Sequence, residues 1–240
     1  MGALDSTNLD ALADSERAEA LARVVPAGGV VLDVGANRGQ FALELLSVVS
    51  CTVLAFEPVP AAFTDLQELA RTHPSIRPLP YAISDQDGTA ELNVQESDVG
   101  SSLLTPLANQ SSMWLTPSTT VTVETRRLDS VFTEEDLPHV DLLKSDAQGF
   151  DGRVIASAGR FLDPDTIGAI LVETNFHAFY ERQDPFYDVM HMICERGYFL
   201  AGFFRHYNHS GWLWWADVLY LPNRAPFSTQ FGLQPAREVS

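Results

Sequence analysis

The chain has 240 residues, a length that suits one large α/β domain or two small ones. Hydrophobic residues make up 45% of the chain and charged residues 20%, as in a folded globular protein, so wholesale disorder is excluded. The formal net charge of −17 disfavours binding to nucleic acid and to an anionic membrane surface. The two cysteines, Cys51 and Cys194, cannot build a disulfide framework or a zinc knuckle. With no predicted secretion signal or membrane span, we expect a cytoplasmic protein.

Short apolar, β-branched runs alternate with helical patterns, which predicts βαβ units and a mostly parallel sheet. The first two strands are predicted at 30–34 and 51–56, with a helix over 40–49 between them. Further strands are predicted at 76–84, 140–145, 167–173, 198–205 and 215–221, and further helices near 60–72, 150–160 and 184–196. We therefore expect an α/β fold with seven strands in one Rossmann-like sheet and helices on both faces. A single domain over 1–240 is expected, with a helical or flexible extension at 1–20.

An insertion is predicted at 86–130. Residues 89–95 and 120–128 alternate like paired strands around the polar stretch 97–119. Because ligands of open α/β sheets bind beyond the carboxyl ends of the strands, this stretch is expected to cover a substrate, with Trp114 as an apolar contact. A plain surface hairpin is the alternative.

The first predicted strand runs into a glycine turn and the start of a helix, a pattern typical of a site for a nucleotide-like cofactor. Asp33 lies in the last part of the strand, Gly35 permits the tight turn, and Gly39 is expected to let the helix approach the strand. Asn37 stands where the dinucleotide-binding pattern has its middle glycine, so a phosphate-bearing cofactor is disfavoured. The only lysine, Lys144, lies far from this turn, which excludes a P-loop nucleotidase.

Glu57 ends the second predicted strand and is followed by Pro58. It lies 22 residues after Gly35, close to the spacing at which an acid binds the two hydroxyls of a ribose. A glycine loop without the pyrophosphate glycine, followed by this acid, predicts adenosine without phosphate. The predicted cofactor is S-adenosylmethionine, with S-adenosylhomocysteine as product, and a plain βα turn with a solvated acid is the alternative.

Over about residues 28–222 the sequence resembles the FkbM family of S-adenosylmethionine-dependent methyltransferases. The segments that carry the resemblance are Val31 to Phe41, Phe56-Glu57-Pro58, Ala82-Ile83-Ser84-Asp85 with Gly88, Ser101-Ser102-Leu103, and Asp141 to Asp146 with Gly149-Phe150. The resemblance implies a class I methyltransferase sheet and O-methylation of a hydroxyl on a sugar or polyketide in natural product or antibiotic biosynthesis. It also implies that Ala82 and Ser84 contact the cofactor and that Ser102 contacts the substrate.

The chain departs from the family's usual Lys-Ile-Asp-Val-Glu-Gly-Phe-Glu at Ser145, Ala147, Gln148 and Asp151. Gln148 removes one negative charge from the loop, so a role of the family's glutamate as base or ion ligand cannot be carried over to this position. Asp146 is left as the carboxylate that matches the family motif.

Alternation along the strand that ends at Asp146 places Leu142, Lys144 and Asp146 on one face. Asp146 is predicted to contact the methionyl amine of the cofactor or the acceptor hydroxyl, and Lys144 to orient Asp146. The alternative is a buried structural ion pair that includes Glu173.

Glu173, Asn175 and His177 follow the next strand and are predicted to lie near the substrate. Asp146 with Glu173 or Asn175 could hold magnesium, but we expect plain polar groups rather than a metal site. His177 is a candidate general base, because histidine is the residue type whose unperturbed side chain titrates near neutrality, or else an ordinary loop histidine. His206, in the aromatic final third of the chain, is a further candidate substrate contact.

The expected function is therefore O-methyl transfer to a hydroxylated small molecule, with oligomerisation left open. One alternative is a binding protein that keeps the methyltransferase fold without catalysis. The other is a nicotinamide-dependent reductase, which Asn37 in the glycine loop opposes.

Overall fold

The computed structural model describes residues 16–95, 100–107 and 117–223, without the side chains of 117 and 118. Its strands are β1 (Gly29–Val34), β2 (Cys51–Phe56), β3 (Ile76–Leu79), β4 (Ala82–Ile83), β5 (Gly88–Gln95), β6 (Pro117–Arg126), β7 (Leu142–Ser145), β8 (Ile170–Asn175), β9 (Tyr198–His209) and β10 (Trp212–Pro222). Its helices are α1 (16–22), α2 (Gln40–Val48), α3 (Pro60–Thr72), α4 (Leu128–Glu134), α5 (Asp151–Ala156) and α6 (Phe186–Glu195), with a 3₁₀ turn at Gly159–Phe161.

Seven strands form one sheet in the order β3-β2-β1-β7-β8-β10-β9. The first five run parallel, whereas β10 is antiparallel to both of its neighbours. The predicted seven-stranded, mostly parallel sheet is confirmed. Chain order reverses between β1 and β7, and ligands of open α/β sheets bind beyond the strand ends at such a point.

Side-chain alternation sends successive residues of each central strand into two different cores. In β1, Leu32 packs with the cluster that includes Phe132 and Val154, whereas Val31 packs with the cluster that includes Phe41 and Leu45. All of these residues are at most 7% exposed. Burial on both faces explains why the central strands are nearly continuous apolar runs, which is the pattern that identified them in the sequence.

The prediction of one strand over 76–84 is wrong. β3 ends at Leu79 at the edge of the large sheet, and Ala82–Ile83 joins a second sheet instead. Pro80 lies between the two strands and has no N–H to continue a ladder. The helix predicted over 150–160 is also shorter, because α5 ends at Ala156 and Gly159 adopts a φ of 55°.

The predicted insertion contains the antiparallel strands β5 and β6, which pair with β4 in a three-stranded sheet. β6 ends at Arg126 rather than at Leu128, and Leu128 begins α4 with a fully buried side chain. Most of the predicted cover, including Trp114, lies outside the described residues, so a cover over the site stays a prediction. The division into one domain with an N-terminal extension also stays a prediction. Within the described ranges, no helix is both long and apolar enough to span a membrane.

Candidate cofactor and acceptor site

The glycine loop after β1 passes directly beneath the loop after β7. Gly35 has a φ of 71°, and a Cβ at this position would lie 2.0 Å from the carbonyl oxygen of Asp146, so only glycine fits. Gly39 has a φ of 86°, and its Cβ would lie 2.5 Å from Leu69 on α3. Gly39 therefore makes its tight contact with α3. The expectation that Gly39 lets the following helix approach the first strand is wrong.

Glu57 closes β2 against this loop and is only 5% exposed. Its Oε2 accepts a hydrogen bond from the N–H of Asn37 at 2.7 Å, and its Oε1 accepts one from the N–H of Val59 at 2.8 Å. Burial raises the pKa of Glu57 to about 7, although the two N–H donors act in the opposite direction. Each carboxylate oxygen keeps a second lone pair with which it can accept a hydroxyl proton.

A cleft that is partly open to solvent lies between the two loops. Seven of the predicted site residues line it: Gly35, Asn37, Glu57, Pro58, Ala82, Ser102 and Asp146. The apolar part of the wall includes Phe56, Ile83, Leu103 and Phe150. A cleft with one apolar side and a buried acid fits a nucleoside, whose base is apolar on its faces and whose ribose carries two hydroxyls.

Asp33 lies beneath the glycine loop with no exposed surface, and it does not line the cleft. Its Oδ1 lies 2.9 Å from the Nζ of Lys144, which also donates to the carbonyl oxygens of Val34 and Gly35 at 3.1 and 2.9 Å. Burial raises the pKa of Asp33. Lys144 is 3.9 Å from Asp146, so it primarily holds the glycine loop. The pairing of Lys144 is therefore with Asp33, not with Glu173.

Gln148 joins two acids, Asp146 and Glu173, which we call the acceptor side of the site because the methyl acceptor is expected there. Its Nε2 donates to Oδ1 of Asp146 at 2.7 Å and to Oε2 of Glu173 at 2.6 Å, while its Oε1 accepts from the hydroxyl of Tyr180 at 3.0 Å. The hydroxyl of Ser102 donates to the backbone oxygen of Gln148 at 2.8 Å. Burial and the Asp146 carboxylate raise the pKa of Glu173 well above its ordinary value. Sequence reasoning missed Tyr180, and it treated Gln148 only as a lost charge.

Asp151 fixes the loop on which Asp146 and Gln148 lie. Its Oδ1 accepts from the hydroxyl of Ser145 at 2.5 Å and from the N–H of Ala147 at 2.9 Å, and its Oδ2 accepts from the N–H of Gly149 at 3.2 Å. Burial raises the pKa of Asp151 to about 6. The pattern of helix starts does not predict this role, because an N-cap side chain accepts from residues that follow it, whereas Asp151 accepts from residues that precede it.

The remaining predicted residues lie away from the cleft. Glu173 and Asn175 line a second, smaller cavity on the other side of the Gln148 loop. His177 is exposed, with its ring 5.7 Å from that of Trp214. Ser84 is buried and donates to Asp85 at 3.2 Å, and His206 is exposed on β9.

A magnesium ion does not fit the acids of the acceptor side as they are arranged. The amide N–H₂ of Gln148 lies between Asp146 and Glu173 and donates to both, whereas magnesium requires oxygen ligands in near-octahedral geometry. Among the residues that the structure describes, no group of three or more His, Cys, Asp or Glu side chains is placed to hold a metal ion.

Comparisons with known proteins bear on the family and the fold of this chain. The methyltransferase FkbM domain model matches residues 33–200. The 2-O-methyltransferase NoeI of Sinorhizobium fredii is 29% identical over 173 residues, which cover 68% of this chain and 70% of NoeI. The structure of Aeropyrum pernix fibrillarin, solved with natively bound S-adenosyl-L-methionine, superposes with a TM-score of 0.51 at 13% identity, covering 87% of this chain and 76% of fibrillarin. This last likeness shows a shared Rossmann-like methyltransferase fold.

Proposed function

The chain belongs to the methyltransferase FkbM domain family, and we propose that it is an S-adenosylmethionine-dependent O-methyltransferase acting on a hydroxyl of a small natural product, a sugar or a polyketide. The name of the relative NoeI, a 2-O-methyltransferase, supports transfer to oxygen. The observation that carries the proposal is Glu57, a buried acid beside a glycine loop that lacks the pyrophosphate glycine.

In this proposal Glu57 accepts hydrogen bonds from the two ribose hydroxyls. Its two oxygens are already fixed by the N–H groups of Asn37 and Val59, so little side-chain entropy is lost on binding. Because Gly35 has no side chain, the glycine loop can pack against the backbone of Asp146. The cofactor is proposed to lie across this loop. These residues bind and orient the cofactor, which when bound supplies an electrophilic methyl group on a sulfonium.

Asp146 lines the cleft and is proposed to accept the proton of the acceptor hydroxyl. Its Oδ1 is held by Gln148, which leaves Oδ2, at 3.9 Å from Lys144, to face the acceptor. With the cofactor bound to supply the methyl group, Asp146 would take the proton that the acceptor hydroxyl loses. A positioned base of this kind contributes about 10²- to 10⁴-fold. His177 is the second candidate, but it is exposed and beside Trp214.

The cofactor assignment is tested by calorimetry with S-adenosylmethionine, S-adenosylhomocysteine and NADH. We expect Glu57→Ala to weaken S-adenosylhomocysteine binding by roughly 1.5 to 3 kcal/mol, the size of a hydrogen bond to a charged group. The exposed Glu68 provides a matched control, since Glu68→Ala should leave the affinity unchanged. Unchanged affinity in a folded Glu57→Ala protein, or tight NADH binding, would refute the assignment and favour a reductase.

The assignment of the base is tested by steady-state kinetics. Asp146→Asn should lower kcat by at least about 10²-fold while changing cofactor affinity far less. If His177 is the base instead, His177→Ala removes the acidic limb of the pH profile and Asp146→Asn has a small effect on kcat. Dialysis against EDTA completes the test: we expect catalysis without a metal, and activity lost to the chelator and restored by magnesium would overturn that expectation.

A further inference from the structure

The hydroxyl of Tyr180 lies where the cofactor cleft and the acceptor side meet. Tyr180 follows β8 and is only 2% exposed. Its hydroxyl oxygen is 2.9 Å from the carbonyl oxygen of Gly100, which lines the cleft, and 3.0 Å from Oε1 of Gln148. The hydroxyl carries one proton, which these two oxygens share. Tyr180 therefore connects the wall of the cleft to the side chain that holds Asp146.

Backbone pairing fixes the position of Tyr180. The N–H of Leu107 donates to the carbonyl oxygen of Phe179 at 2.8 Å, and the N–H of Glu181 donates to that of Thr105 at 2.8 Å. The ring of Tyr180 is buried in the same core cluster as Phe179. Since both the backbone and the ring are held, the hydroxyl loses little side-chain entropy when it donates a hydrogen bond.

The ring of Tyr180 also supports the turn that carries Gln148. Gly149, the next residue, has a φ of 86°, and a Cβ at this position would lie 3.0 Å from Cδ2 of the ring. On the other side, the hydroxyl of Ser102 donates to the backbone oxygen of Gln148 at 2.8 Å. Both the backbone and the side chain of Gln148 are therefore held by the segment 100–107 and by the loop that pairs with it.

The amide of Gln148 suits this site in one orientation. Its Nε2 donates to Asp146 and to Glu173, so its oxygen faces the hydroxyl of Tyr180. A turned amide would place its oxygen against Oδ1 of Asp146, where two acceptors would meet even when Glu173 carries a proton. Burial and the nearby carboxylates raise the pKa of Tyr180, so the phenol keeps its proton. The phenol can therefore serve as the donor that the amide oxygen needs.

We propose that Tyr180 is a positioning residue for the methyl transfer. Its hydroxyl fixes the amide of Gln148, and the amide holds Oδ1 of Asp146 so that Oδ2 is directed towards the acceptor. This inference rests on the proposed O-methyltransferase function, and it adds a residue that acts on the reaction through two other side chains.

The first test is hydrogen exchange of the Gln148 side-chain amide, which needs no acceptor. The full chain is labelled with isotopic glutamine, saturated with S-adenosylhomocysteine and studied by NMR, and the signal of Gln148 is the one lost in Gln148→Ala. We expect its hydrogens to exchange at least about tenfold more slowly than those of the exposed Gln67, and Tyr180→Phe to remove most of this difference. Wild-type exchange as fast as at Gln67 overturns the proposal, even when Tyr180→Phe does not fold.

The second test is the rate of methyl transfer. Radiolabelled S-adenosylmethionine at saturation is combined with a mixture of methyl glycosides and hydroxylated macrolactones, the two acceptor classes of the proposed function. Tyr180→Phe should lower the rate roughly tenfold, the size of one hydrogen bond, and should change the affinity for S-adenosylhomocysteine by less than about twofold. Because Tyr180 acts through Gln148, the double variant with Gln148→Ala should be no slower than Gln148→Ala alone. A purely structural role would multiply the two losses.

Tyr198→Phe is the matched control. Tyr198 is also 2% exposed, and its hydroxyl donates at 2.8 Å to the carbonyl oxygen of Ile167, which precedes the amino end of β8. Both tyrosine variants should lose similar stability in urea, because each loses one buried hydrogen bond to a carbonyl oxygen. Tyr198→Phe should nevertheless keep the wild-type rate and the wild-type exchange at Gln148.

The outcomes separate this inference from the proposed function. A wild-type protein that does not bind S-adenosylhomocysteine refutes the proposed function itself. A protein that binds it but methylates neither acceptor class refutes the assigned acceptors, and the exchange test then decides on Tyr180. An active wild type overturns the role of Tyr180 when Tyr180→Phe has the same rate, when Tyr198→Phe is equally slow, or when the losses in the double variant multiply.

Discussion

Glu57, directly after β2, and Glu173, in the last half of β8, are both acids near the carboxyl end of a strand, but they are held in different ways. Glu57 accepts from two backbone N–H groups, at Asn37 and Val59, within the first βαβ unit. Glu173 is joined to Asp146 by the side chain of Gln148. The cofactor side therefore depends on the path of the backbone, whereas the acceptor side depends on individual side chains. A family with one cofactor and varied acceptors would keep the first and vary the second.

The largest effect is expected for Gly35→Ala, which changes the backbone path on the cofactor side. A Cβ 2.0 Å from the carbonyl oxygen of Asp146, at a φ of 71°, cannot be accommodated without moving a loop, so we expect a loss of about 4 kcal/mol or more in the free energy of unfolding, measured in urea. Gly28→Ala is the matched control, because Gly28 has a φ of 81° but nothing within 4 Å of its Cβ, and about 1 kcal/mol is expected. Equal losses in the two variants would show that the backbone path is not the constraint.

A smaller effect follows from the pKa of Glu57. This pKa is raised from 4.5 to about 7 in the folded protein, so below pH 7 a proton must leave before both oxygens can accept ribose hydroxyls. Affinity for S-adenosylhomocysteine should therefore increase with pH, roughly tenfold between pH 6 and pH 8. Calorimetry across this range measures the increase, and Glu57→Gln should flatten it. A profile that is the same in wild type and Glu57→Gln would show that another group titrates.

The smallest effect is expected on the acceptor side. Gln148→Ala keeps a non-glycine residue at a φ of 52° and removes the bridge between Asp146 and Glu173, so it should cost about 1 kcal/mol of stability. Because Asp146 then loses its orientation, kcat should fall while cofactor affinity is kept. Urea denaturation and kinetics measure the two. A loss of stability as large as that of Gly35→Ala would remove the contrast between the two sides.

The sequence predicted the parallel strands and the glycine loop well, because both depend on local features. β1, β2 and β8 are buried on both faces, and this burial leaves apolar runs that can be read without a structure. The break between β3 and β4 was missed, although Pro80 marks it, since strand-like residues stand on both sides of Pro80 and the change of sheet partner leaves no local pattern.

Among the candidate site residues, the places of Gly35, Glu57 and Asp146 could be predicted from the sequence. Each directly follows the end of a strand, and the apolar pattern fixes where that strand ends. The tertiary structure alone decided their partners. Lys144 pairs with Asp33 on a neighbouring strand, and Gln148 reaches Glu173 across 25 residues and Tyr180 across 32. Such contacts depend on strand order and on the path of loops between strands, which no local pattern encodes, so the same side chains could have formed other pairs in a sheet of different order.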